Sequence, residues 1–93
     1  MDIRQMKLAL TVDLMNLPDS QNPVSFAREK MNRFSSETGT YQGFSETSKS
    51  QISEDMGWKT LELKFEHCTL NIDLIEDKKK NEEYIQNFNL LEN

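Results

Sequence analysis

The chain has 93 residues, 35% hydrophobic and 29% charged, with a formal net charge of −5. That length suits a single domain with one core, 1–93, and two prolines and three glycines do not mark a disordered chain. The acidic balance excludes binding of nucleic acid or anionic membrane by the surface as a whole, and the lone Cys68 excludes a disulfide within the chain.

The acidity is local. Residues 1–34 sum to +1, residues 35–77 to −6 and residues 78–93 to 0. At the N-terminus, Lys7 and Asp13 interrupt every apolar run well short of the ~18 residues a membrane span needs. No signal peptide is expected there either, so the chain reads as unprocessed, soluble and cytoplasmic.

Within this segment, "MKLALTVDLMN" alternates with a period of two. Met6, Leu8, Leu10, Val12 and Leu14 fall on one side and Lys7, Ala9, Thr11, Asp13 and Met15 on the other, which predicts a strand ended by Pro18. Asp19, Ser20 or Asn22 can then cap a helix that holds Pro23 in its first turn, where a missing N–H costs little. Val24, Ala27, Met31 and Phe34 give that helix a buried stripe.

Residues 35–57 form a polar loop or edge strand. Nine of residues 35–53 are Ser or Thr, and only Tyr41, Phe44 and Ile52 are large and apolar. Asp55-Met56-Gly57 has turn chemistry just before Trp58, so residues 44–53 are expected to pair with residues 58–66.

In "KTLELKFEHCTLNIDLIED" the apolar set changes parity, from Leu61, Leu63 and Phe65 to Cys68, Leu70, Ile72 and Leu74. An unbroken strand of this length would span roughly 60 Å, too long for a domain of this size. Folding back at Glu66-His67 sets Phe65 against Cys68, Leu63 against Leu70 and Leu61 against Ile72, all on one face. A two-residue hairpin loop is therefore expected, with a four-residue loop or a bulged, bent strand as alternatives. Lys78 to Lys80 form a connection. A final helix is expected from Asn81, with Glu82 and Glu83 in its first turn and Ile85, Phe88 and Leu91 along one side. The sum is an α+β fold: a small antiparallel sheet of three or four strands with two helices packed on one face, in the order β-α-(β)-β-β-α.

No sequence feature points to catalysis. His67 and Cys68 are strand or turn neighbours whose side chains diverge, and one His plus one Cys cannot make a zinc site. Glu62, Lys64, Asn71 and Asp73 crowd the hairpin's outer face, with Asp13 beside them if the first strand is adjacent, but an exposed face cannot split two carboxylate pKa values. Neither a glycine-rich phosphate loop nor a nucleophile elbow is present. No enzyme, metal or cofactor is expected.

What the residues suggest instead is a small acidic protein-binding module that occupies a partner's surface, as an inhibitor or accessory factor from a virus or mobile element would. On a helical wheel Phe26 lies about 120° from the buried stripe, among Glu29, Lys30 and Arg33, and is expected to face outward. Phe26, Tyr41 and Phe44 are the candidate anchors, with Glu46, Glu54, Asp55, Glu62 and Asp73 supplying polar complementarity. One alternative is a nucleic-acid-binding subunit using Arg4, Lys7, Arg28, Lys30 and Arg33. Another is a homo-oligomer built by self-pairing of the edge strand at 44–53.

Overall fold

A computed structural model describes residues 3–14, 16 and 22–93. The elements run α1 (Ile3–Leu14), α2 (Pro23–Met31), a 3₁₀ turn (Asn32–Phe34), the single turn α3 (Ser35–Thr38), then β1 (Tyr41–Gln51), β2 (Met56–Phe65), β3 (Cys68–Asp77) and β4 (Glu82–Glu92). The four strands form one antiparallel sheet in the order β1-β2-β3-β4. The class is α+β, and its order is α-α-β-β-β-β.

Two elements of the expected order are therefore corrected. The N-terminal segment is helix α1, because Met6, Leu10 and Leu14 form an i, i+4, i+8 stripe as well as part of an alternating set. All three are fully buried, whereas Leu8 and Val12, their expected strand companions, are 71% and 65% exposed. The C-terminal segment is strand β4. The edge of β3 needs a hydrogen-bonding partner, and β4 supplies it along Cys68 to Asp77. A register shift at Asp73/Leu74 leaves Gln86 without a partner, so Ile85 and Leu90 both turn to the core although their spacing is odd. Asn81, expected to cap a helix, sits instead in the β3–β4 turn at φ 56°, the left-handed region asparagine tolerates.

The β2–β3 hairpin has the register its parity change demands. Leu63 pairs with Leu70 and Leu61 with Ile72, and continuing the register sets Phe65 opposite Cys68. Its two-residue loop lacks the positive φ values of a type I′ turn, since Asn81 is the only described non-glycine residue with one. Other segments secure it. Glu66 N–H donates to the Thr40 carbonyl (2.9 Å), His67 N–H to the Thr38 carbonyl (2.9 Å), and Asn93 N–H to the His67 carbonyl (3.1 Å). Gly39 makes this close approach tolerable: at φ 77°, a Cβ there would lie 2.6 Å from Glu66 Cβ.

The expected capping of α2 holds at Asn22, whose side chain accepts from the N–H groups of Val24 and Ser25, with Pro23 following. Asp19 and Ser20, the other expected caps, and Pro18 lie outside the described residues. The edge strand is also present: β1 pairs with β2 from Tyr41↔Phe65 to Gln51↔Gly57. One core joins Met6, Leu10 and Leu14 of α1 and Phe26, Ala27 and Met31 of α2 to Leu61, Leu63 and Phe65, Cys68, Leu70, Ile72 and Leu74, and Ile85 and Leu90 of the sheet. By register, all of these strand residues share one face. Arg33 closes the helical layer with a 3.1 Å ion pair to Asp13, so Asp13 belongs to that layer and not beside Glu62 and Asp73.

Candidate protein-binding face

The core-facing side of the sheet is occupied by the helices, and the opposite face has the other parity. That open face carries Trp58, Thr60, Glu62 and Lys64 of β2, Asn71, Asp73 and Ile75 of β3, and Tyr84, Asn87 and Asn89 of β4. Its half nearest the β2–β3 loop is polar apart from Leu91 of β4, which stands opposite Thr69 and is 45% exposed rather than on the buried side with Ile85. Thr60 Oγ1 donates to Asp73 Oδ1 (2.7 Å), and Lys64 pairs with Glu62 (3.4 Å).

The other half is apolar. Trp58 stands opposite Ile75, and Ile75 opposite Tyr84, so three large side chains run in a row across three strands, with neighbours separated by the roughly 5 Å typical of cross-strand pairs. Trp58 is 38% and Tyr84 44% exposed. Ile75, between them, is buried yet lies outside the core cluster, so its cover comes from side chains of this open face. Asp73 lies two residues to one side of Ile75. Asp77 and Glu82, themselves opposed, lie two residues to the other.

The sequence-derived anchors fall elsewhere. Phe26 does not face outward: it is 8% exposed, joins the core, and has the Lys30 ammonium 5.0 Å above its ring. Sheet contact widens the buried side of α2 beyond its i, i+3, i+7 stripe. Tyr41 is half-buried, its ring 5.3 Å from that of Phe65 and 4.0 Å beneath the Arg28 guanidinium, so it ties β1 to its own domain. Phe44 is exposed, opposite Leu63 on the helix side of the sheet, with Glu46 beyond it. Glu54 and Asp55 sit exposed in the β1–β2 turn. Of the expected polar residues, Glu62 and Asp73 lie on the open face with the Trp58 row.

The cations are divided. Arg4 and Lys7 are exposed on α1, while Arg28, Lys30 and Arg33 are engaged with Tyr41, Phe26 and Asp13. On the helix side of the sheet, Lys59 pairs with Glu83 (2.9 Å) and lies 3.9 Å from Glu76. Burial lowers the Lys59 pKa, but the hydrogen bond and charge of Glu83, with Glu76 and Glu46, leave it raised overall. Cys68 is fully buried, and burial, aided by Glu92, pushes its thiol up. His67 is exposed in the loop.

Among the described residues, no group of three or more His, Cys, Asp or Glu is placed to hold a metal, and no helix is long and apolar enough to cross a membrane. β1 bulges at Gln42 and Thr47, which interrupts its outer edge as a template for another strand. Sequence reasoning missed Trp58, Ile75 and Tyr84, because with Tyr84 assigned to a helix no row across strands could be seen. The available signal was the even parity of Trp58 against the odd parity of Leu61 and Leu63. Neither a protein-family model, nor a curated protein, nor a solved structure matches this chain.

Proposed function

We propose that this is a small protein-binding module that works by occupying a partner's surface, as an inhibitor or accessory factor does, and that it binds through the open face of its sheet. One observation carries this reading: the row Trp58–Ile75–Tyr84 lies on the face away from the helices. The exposed face of an antiparallel sheet is ordinarily polar, as its Thr60–Asp73 half is here. An apolar row rimmed by charge is the composition of an interface, and Trp and Tyr are the side chains that most often dominate binding energy. Exposed Phe44 remains a secondary contact on the other side of the sheet.

The test is affinity capture from the native cell with three baits: the wild-type chain, Trp58→Ala/Tyr84→Ala, and Phe44→Ala. Prey held by wild type and by Phe44→Ala, but reduced at least tenfold on the double variant, is the expected result; each anchor residue typically contributes more than ~1 kcal/mol. Equal capture by the double variant would exclude the open face.

A further inference from the structure

We propose that the open face also takes a second copy of this chain, by receiving the outer side of that copy's α1; the inference rests on the open face being a binding surface. α1 has a buried apolar stripe and, away from it, two exposed apolar residues. Met6, Leu10 and Leu14 are fully buried beneath it, while Leu8 and Val12, one helical turn apart, lie on its outer side. These two side chains leave an exposed apolar strip among the polar residues of α1. Its own sheet accounts for one side only, and α1 cannot reach the open face of its own molecule because its inner stripe fixes it to the opposite one.

Charge selects which surfaces meet. Two open faces would oppose Asp73, Asp77 and Glu82 to their own copies, and like charges held together are repelled. The exposed part of α1 is basic instead: Arg4 lies beside Leu8, Lys7 is exposed on the flank toward Asn87 and Asn89 of β4, and the helix's acid, Asp13, is already paired with Arg33. Dimensions agree as well. Leu8 and Val12 are about 6 Å apart along the helix axis, close to the ~4.8 Å between neighbouring strands, so a helix laid across the strands sets them over the Trp58–Ile75–Tyr84 row. Because different surfaces meet, the contact is head-to-tail. A 12-residue helix buries less than the ~800 Å² per partner of a standard interface, so association is weak and concentration-dependent.

The experiment is sedimentation equilibrium on the wild-type chain, on Leu8→Ser/Val12→Ser, and on Trp58→Ser/Tyr84→Ser, alone and mixed. All four positions are exposed, and circular dichroism checks that each variant folds. Wild type should gain mass with concentration. Each variant alone should stay monomeric, and their equimolar mixture should give a dimer and nothing larger, since each supplies the surface the other lacks. A wild-type chain that stays monomeric to millimolar concentration, a variant that associates alone, or a mixture that stays monomeric would overturn the proposal. If wild type is monomeric while partner capture still depends on Trp58 and Tyr84, this inference fails and open-face binding stands.

Discussion

Cys68 follows a loop whose backbone is tied down by Thr38, Thr40 and Asn93, and its thiol is sealed in the core at the start of β3. Burial disfavours the thiolate, so the folded-state pKa lies above the ordinary value of 9.0. The sign follows from linkage. A group whose pKa is raised on folding contributes stability that is complete below the unfolded value and is lost as pH rises toward the folded one. Denaturant midpoints are therefore expected to fall as pH rises above 9.0, and to fall less in Cys68→Ala, which has no thiol to ionise. Lys59, also raised, loses its contribution only above its ordinary 10.5, so the interval between these values reports on the thiol. Equal slopes for the two proteins in that interval would contradict the assignment.

At the scale of elements, α1 makes the sharpest contrast between two side chains of one chemistry. Leu10 is fully buried and Leu8 is 71% exposed. Leu10→Ala should cost about 2–5 kcal/mol, the range for truncating a buried leucine, whereas Leu8→Ala should stay within about 0.5 kcal/mol. Urea denaturation at low protein concentration measures both. Comparable losses would mean that the two residues share a face, as the strand pattern had required. The misreading has a definite origin: Met6, Leu8, Leu10, Val12 and Leu14 satisfy the period of a strand, and the subset Met6, Leu10 and Leu14 satisfies that of a helix. Composition favours the helix, since Leu, Met, Lys, Arg, Gln and Ala outnumber the β-branched Ile3, Thr11 and Val12. In β4 the ambiguity runs the other way, because a bulge at Gln86 gives a strand the irregular apolar spacing of a short helix. The β2–β3 hairpin was legible because its parity change has few physical solutions. The cap at Asn22 was legible because capping is local. The Trp58–Ile75–Tyr84 row was not, since it exists only once β4 lies beside β3.

For the whole molecule, the packing of the described helices on one face of the sheet sets the chemistry of each surface. The expected anchors Tyr41 and Phe26 serve the domain's own packing, while Trp58 and Tyr84 are left toward solvent. Trp58 is the chain's sole tryptophan, so its fluorescence reports this face without labelling. Iodide quenching, measured on dilute protein and again after addition of the captured partner, tests the layout and the binding proposal together. The free chain should be quenched readily, with a blue shift and strong protection in the complex. An indole shielded in the free monomer, or quenched equally in the complex, would contradict this expectation.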